Sequence, residues 1–350
     1  MLETPHNPLK NDMNQLSNSF TLFLSLIVEA FPFLLMGVIL SSLLLLYIDD
    51  TTLLKSLPKN PILGALMGSL VGFLFPVCEC GNVPVARRLL LQRVPISVAI
   101  GFLLAAPTIN PIVIWSTWVA FRDQPEIVGL RVLFSLIVAV IISCIFAVQN
   151  DVKVILHPTL AKQLNYYAKT VKRPPKVKKK DSSLLQSGTF LLNASGQPIP
   201  LETLPKTASK ANIFRRFRWQ TFLNNLTQEL RELGGILILG SAVAAMIQVF
   251  TPRELILGLG QSPVSSILVM MLLGGLISIC STVDAFFALS FSATFTTSSL
   301  LAFLVFGPMI DLKSVGLLLS VFKPRIIFYL FAISAQLIFV LTLSYHYLFG

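Results

Sequence analysis

Apolar residues dominate long stretches of this chain and do not alternate with polar ones. A bilayer crossing needs about 20 mostly apolar residues. Phe20–Tyr47 meets that length with only Glu29 as an interruption. Pro61–Val77 is short and ends at Cys78-Glu79-Cys80-Gly81-Asn82. Pro95–Phe121 is long enough but carries Pro107 and Pro111, and Ile127–Val148 is long enough with Arg131 near its start. A polar stretch follows, with Arg173-Pro-Pro-Lys176 and Lys178-Lys-Lys180, which cannot form a core and is expected to be disordered in its middle. Apolar runs then resume at Leu233–Phe250, Pro263–Ile279, Ala285–Ile310 and Pro324–Leu348. The pattern predicts an all-α polytopic membrane protein of about eight transmembrane helices. They fall into two four-helix internal repeats with broken helices at the motifs. The expected division is a cytoplasmic tail over 1–19, a first repeat over 20–149, a basic cytoplasmic linker over 150–230 and a second repeat over 231–350.

Spacing supports the repeat. Pro61 and Cys78 are 17 residues apart, as are Pro263 and Cys280, with Gly72 and Gly274 at matching places between them. Phe102–Asn110 aligns with Phe303–Asp311, and Glu29 with Gly37 matches Glu232 with Gly240. Repeated halves are characteristic of secondary transporters, whose substrate sites lie at the repeat interface near mid-membrane. Four spans per half make the repeats parallel. A re-entrant motif segment makes the number odd and inverts them, and the sequence leaves both open. Arg87, Arg88 and Arg93 place the loop after the second span in the cytoplasm; Lys313, Lys323 and Arg325 then fall outside, against the charge rule.

Composition narrows the class. Of 350 residues, 54% are apolar and 12% charged, with mean hydropathy +0.78, half the charged share of a soluble domain. The net charge of +11 is confined to one region: residues 150–218 hold 14 Lys and Arg against 3 Asp and Glu, and the rest balances. Basic loops between spans are cytoplasmic, with anionic lipid as a secondary contact, and nucleic acid is not implied. The four cysteines do not suggest a disulfide framework. No cleavable signal peptide is expected, because the first apolar run is too long.

The densest polar cluster, Cys78-Glu79-Cys80-Gly81-Asn82-Val-Pro84, caps a segment short enough to stop inside the membrane. Free backbone groups at that depth are tolerated only where they line a cavity or are buried in protein, and an ionisable Glu79 there is a functional candidate. In extended backbone Cys78 and Cys80 project to one side, and two thiolates suit a soft cation. Cys280, the repeat equivalent of Cys78, would bring a third sulfur if the motif loops meet; otherwise these cysteines are small core residues. Pro107-Thr108-Ile-Asn110-Pro111 forces a kink and frees carbonyls, with Gly307-Pro308-Met-Ile-Asp311 as its counterpart. The alternative there is a kinked helix whose Asn satisfies its own backbone. Asp284 sits in a hydroxyl-rich apolar stretch and needs a partner, for which Arg87 or Arg88 is proposed; Glu29 is a third titratable position. His6 and His157 lie outside the apolar runs, His346 sits at the end of the last one, and no phosphate-binding Gly-rich loop is present, so neither a His-based zinc site, a catalytic triad nor ATP hydrolysis is indicated.

Phe75–Pro84 followed by Leu103–Pro111 resembles the predicted-permease family that includes the organoarsenical efflux permease ArsP. The resemblance covers about 20–150 and 225–350, and the basic segment looks like an insertion between them. It implies an inner-membrane permease of about eight spans, and trivalent organoarsenicals as the substrates of characterised relatives. Cys78, Glu79, Cys80, Gly81, Asn82, Pro107, Asn110, Pro111 and Asp311 are the matching positions.

The expected function is therefore a plasma-membrane secondary transporter. It would export a small solute such as a trivalent organoarsenical or another thiophilic metalloid or metal, coupled to protons through Asp284, Asp311 or Glu79. Substrate-binding candidates are Cys78, Glu79, Cys80, Gly81, Asn82, Pro107, Thr108, Asn110, Pro111, Cys280, Asp284, Pro308 and Asp311. Cys78, Cys80 and Cys280 form a candidate thiolate site, and no cofactor is implied. A small-anion or organic-solute permease, and a non-transporting subunit of a membrane complex, are the alternatives. An intramembrane thiol oxidoreductase fits poorly, because Cys-x-Cys lacks the redox spacing and no second pair relays electrons. A homo-oligomer or a partner subunit is compatible with the sequence.

Overall fold

In the computed structural model, the described residues are 8–47, 58, 60–75, 77–148, 155–158, 160, 162, 190–192, 198–200, 210–250, 262–292 and 294–349. Most of the linker, including the stretch expected to be disordered, lies outside them, as do residues 1–7.

The first half comprises α1 (Pro8–Tyr47), α2 (Pro61–Leu74), α3 (Glu79–Leu91), α4 (Ile96–Ile109), α5 (Pro111–Ala120) and α6 (Glu126–Ala147). The second comprises α7 (Lys210–Phe250), α8 (Pro263–Ile277), α9 (Asp284–Leu289), α10 (Thr297–Met309), α11 (Leu312–Leu319) and α12 (Pro324–Phe349). Between them, Phe190–Leu192 and Pro198–Pro200 form a three-residue antiparallel pair. The matched prolines explain the register of the two halves. Pro61 and Pro263 stand in the first turn of α2 and α8, where a missing N–H costs nothing. Pro111 does the same for α5. α7 begins at Lys210, some 20 residues ahead of the apolar run; only its Phe222–Val249 stretch has spanning character.

Six described helices or helix pairs are long and apolar enough to cross a membrane: α1, α4–α5 and α6 in the first half, and α7, α10–α11 and α12 in the second. The other two apolar segments, α2 and α8, are shorter, and packing shows why they do not act as separate spans. A Cβ on Gly64 would lie 2.8 Å from Ser97 Oγ, and one on Gly72 2.9 Å from the Ala106 nitrogen. A Cβ on Gly68 would collide with the Val98 carbonyl. Thus α2 runs parallel to α4, with backbones in contact along a Gly-x-x-x-Gly-x-x-x-Gly face. Helix α3 then runs back: Asn82, near its start, reaches Leu103, and a four-residue turn joins its end to α4. So α2 and α3 form a re-entrant hairpin. Both of its ends lie at one face, and its tip lies at the depth of the α4–α5 break.

The second half repeats this. Gly274 meets Phe303 and Gly307, Gly275 meets Ile310, and Ser278 accepts from Leu312 N–H at 3.1 Å. Helix α8 is thus parallel to α10, and α9 turns back from a tip at Ser278–Val283. Three crossings per half is an odd number, so the halves are inverted. Of the eight apolar segments expected to span, six are helices or helix pairs long enough to cross a membrane, and two, α2 and α8, are the shorter arms of hairpins.

Helices α1 and α7 are antiparallel, with Leu26 clustered with Ala244 and Ala245, and Ser41 beside Glu229. The start of α1 therefore lies at the opposite end of the helices from the start of α7. The start of the linker is tied to the second half: His157 N–H donates to Val321 at 2.8 Å and Lys323 N–H to Ile155 at 3.0 Å.

Helices α4–α5 and α10–α11 form the centre, with 89% and 83% of their apolar windows buried, whereas α1, α7 and α12 bury 28%. The outer helices present Phe20, Val28, Leu239 and Phe328 outward, as lipid-facing helices must.

Candidate functional site

The α4–α5 break is built by Asn110 and Pro111. Asn110 is extended; its Oδ1 accepts from Val113 N–H at 2.9 Å, capping α5, and its Nδ2 donates to the Ala106 carbonyl at 3.0 Å. Asn110 therefore satisfies local backbone, which is the structural alternative left open by the sequence. Thr108 likewise bonds the Leu104 and Ala105 carbonyls of its own helix. Pro107 lacks the N–H that would normally reach the Leu103 carbonyl. Asn82 Nδ2 from α3 fills that vacancy at 2.7 Å, so the re-entrant hairpin is keyed to the kink. Asp311 is the counterpart of Asn110. It caps α11 through Ser314 N–H at 2.7 Å in a capping box, and its Oδ2 is buried without a hydrogen bond. Pro308, like Pro107, lies in the last turn before the break.

The two hairpin tips meet. Sγ of Cys78, Sγ of Cys280 and a carboxylate oxygen of Glu79 all lie within 4.8 Å of one another, and all three residues are buried. The Cys78 and Cys280 sulfurs, one from each half, thus meet. Cys80, the third sulfur expected here, is buried in the first turn of α3 and is not one of the three clustered donors. Thr282 Oγ1 donates to Cys280 Sγ at 3.6 Å. Tight backbone packing holds the first tip: a Cβ on Gly81 would overlap Val77 and approach the Phe33 carbonyl at 2.5 Å, and one on Gly37 would overlap the Gly81 carbonyl.

Two ion pairs cross between the halves beside this cluster. Lys313 Nζ of α11 lies 3.7 Å from Glu79 Oε1 of α3, and both are almost fully buried. The other Glu79 oxygen has no hydrogen-bond partner. A cavity of about 10 Å³, room for about one water, lies against Glu79, Asn82, Pro107, Pro308 and Ser314. The second pair is bidentate: Arg131 of α6 donates to both oxygens of Asp284 at 3.1 and 2.5 Å, and to Thr117 Oγ1 at 2.8 Å. The partner proposed for Asp284 was Arg87 or Arg88. Arg87 instead pairs with Glu232 of α7 at 2.9 Å, at the linker face, beside a groove of about 780 Å³ that also touches His157, Gly240 and Gly316. Lys313 is correspondingly not a loop residue, so its position no longer strains the charge rule.

Arg131, Lys313 and Thr117 are the site residues that sequence reasoning missed. Arg131 carried a signal, as a lone guanidinium inside an apolar run. Lys313 had been assigned to a loop because Ala285–Ile310 was read as a complete span ending before it. Of the hydroxyl-rich stretch, Ser290 and Ser299 bond nearby backbone. Glu29 is half-buried on α1.

Comparison with known proteins agrees with a multi-pass membrane protein. A family model described as a predicted permease matches residues 15–347. The UPF0718 protein YcgR of Bacillus subtilis is 36% identical over 310 residues, covering 89% of this chain and 90% of the relative. A putative two-component membrane permease complex subunit of Streptococcus mutans is 34% identical over 322 residues, covering 92% and 93%. The UPF0718 protein YraQ of Escherichia coli matches over 76 residues at 34% identity, 22% of each chain. No solved structure matches. With the family match running nearly end to end over both halves and their hairpins, the chain belongs to the predicted permease family.

Proposed function

We propose that the chain is a secondary transporter whose solute passes where the two re-entrant tips meet, and that this solute is thiophilic. The observation that carries the reading is the convergence of Cys78 and Glu79 of one half with Cys280 of the other. Inverted repeats around a site of broken helices suit alternating access, in which one half rocks against the other. A small anion is the weaker substrate. Lys313 faces Glu79, Arg131 faces Asp284 and Arg87 faces Glu232, so each of these cations is matched to a carboxylate. A trivalent organoarsenical, moved outward, is the first substrate to test. Glu79 and Asp311, each with a buried carboxylate oxygen lacking a partner, are better placed for proton coupling than Asp284, whose two oxygens are held by Arg131.

With the basic linker cytoplasmic, α1 enters from outside and the second hairpin opens outward. A second subunit is also proposed, because the Streptococcus mutans relative is named as part of a two-component complex; co-purification of a tagged chain tests it. Uptake of a trivalent organoarsenical into everted vesicles bearing a proton gradient tests the transport reading. Uptake in wild type that is lost in Cys78→Ser/Cys280→Ser supports it. Cysteine-independent uptake, or none, overturns the thiophilic assignment.

A further inference from the structure

We infer that Cys78, Glu79 and Cys280 form a binding site for one soft divalent cation of the zinc and cadmium class. The inference deepens the transport reading by naming an ion class for the same site, but it stands on the donor atoms and their charges and needs no transport to be tested.

Three donors within 4.8 Å of one another can share a single ion, since zinc–sulfur and zinc–oxygen bonds are about 2.3 and 2.1 Å. Two of the donors are thiols, which select soft metals over magnesium or calcium. Three protein ligands leave a tetrahedral ion one open position, the arrangement of sites that exchange a ligand, whereas permanent structural sites are closed by four. The donors also come from different halves, two from the α2–α3 tip and one from the α8–α9 tip. A bound ion therefore ties the halves together, and rocking them apart opens the site.

Charge selects the valence. A bound ion requires the thiols as thiolates, so two protons leave to solvent. A divalent ion replaces those two charges and leaves the net charge of the site unchanged, whereas a monovalent ion adds one negative charge in an apolar interior, where it is costly. Lys313, 3.7 Å from Glu79, is a buried countercharge, and the buried Asp311 carboxylate lies near both.

The test is Cd²⁺ binding to the detergent-purified full-length chain, read by thiolate-to-metal charge-transfer absorption and by equilibrium dialysis. Proton release is followed with a pH indicator. Wild type is expected to bind one Cd²⁺ with release of two protons. Cys78→Ser and Cys280→Ser should each weaken binding by at least about 100-fold, since loss even of an outer-shell partner costs 10- to 100-fold, and should lower the proton count. Glu79→Gln should weaken it while keeping the sulfur absorption. Cys144→Ser, on α6 away from the cluster, should change nothing. Monodisperse elution of each variant guards against misfolding. Absence of stoichiometric Cd²⁺ in folded wild type, or binding unchanged in Cys280→Ser, overturns the site. The two readings can fail separately: Cd²⁺ binding without any solute flux in vesicles rejects the transporter and keeps the site, while flux of another solute without Cd²⁺ binding does the reverse.

Discussion

Neutralising one member of the Arg131–Asp284 pair should damage the protein far more than neutralising both. The pair is buried, bidentate and crosses between the halves, and Thr117 occupies a further guanidinium hydrogen. Removing one partner of such a pair leaves an uncompensated buried charge, which costs about 3–5 kcal/mol, while apolar replacement of both is often close to neutral. A Coulomb estimate agrees in scale: unit charges about 4 Å apart attract by about 4 kcal/mol at an effective dielectric of about 20. Arg131→Met and Asp284→Leu should therefore each lower unfolding free energy by about 3–5 kcal/mol, whereas the double variant should lose far less than their sum. That implies a coupling of about 3 kcal/mol, at the upper end of direct contacts. Thr117→Val should cost about 1–2 kcal/mol, the loss of one bond to a charged donor. Denaturant or thermal unfolding of the purified protein in one detergent, monitored by helical circular dichroism, gives all four values. Additive losses would refute the reasoning, because two independent sites would then be responsible. A swap, Arg131→Asp with Asp284→Arg, that recovers stability over either single reversal would locate the effect in the charges.

Three further outcomes follow from the packing. Gly37→Ala should sharply reduce folded yield, because its Cβ would overlap the Gly81 carbonyl, while Gly240→Ala at the repeat-equivalent position should be tolerated, with its nearest neighbour at 3.6 Å; fluorescence-detected size exclusion distinguishes them. Asn82→Leu should cost about 1–3 kcal/mol by stranding the Leu103 carbonyl, and clearly less in a Pro107→Ala background, where a restored N–H can serve that carbonyl; equal costs in both backgrounds would dissociate Asn82 from the kink. Gly68→Leu should separate α2 from α4 and abolish both stability and any vesicle flux, whereas Leu70→Ala, on the exposed face of α2, should leave both within error.

Much of the fold was legible because its signals are local. The matched Pro61/Pro263, Gly72/Gly274 and Asn110/Asp311 positions marked the repeat, and each has the same structural task in both halves: starting a helix, admitting a neighbouring backbone, or capping the helix after the break. The meeting of Cys78 with Cys280 was left open by the sequence, since it follows from the repeat only if the loops touch. The number of crossings was not legible. Hydropathy reports length and apolarity, and α2 and α8 are apolar whether they cross the bilayer or turn back within it. The relevant signal was Gly64-x-x-x-Gly68-x-x-x-Gly72, which demands a parallel neighbour at backbone contact, and that neighbour is α4. Partner choice for the charges was illegible for the same reason. Arg87 is close to the Cys78 motif in sequence, but about two and a half helical turns carry it to the linker face, where Glu232 is its partner. Lys313 looked like a surface cation only as long as Asp311 was taken to end a span and not to cap the next half-helix.

The most direct test of inverted halves with re-entrant hairpins is cysteine accessibility from each face. Asn60→Cys, Arg93→Cys, Ser262→Cys and Ser292→Cys, all at exposed positions, would be labelled with a membrane-impermeant maleimide in right-side-out and everted vesicles. Cys144 is replaced by Ser in the background; Cys78, Cys80 and Cys280 are buried. The structure requires Asn60 and Arg93 to react from one face, the face of the basic linker, and Ser262 and Ser292 from the other. Labelling of Asn60 and Arg93 from opposite faces would show that α2 and α3 cross the membrane, and would contradict the inverted architecture together with the transport path built on it.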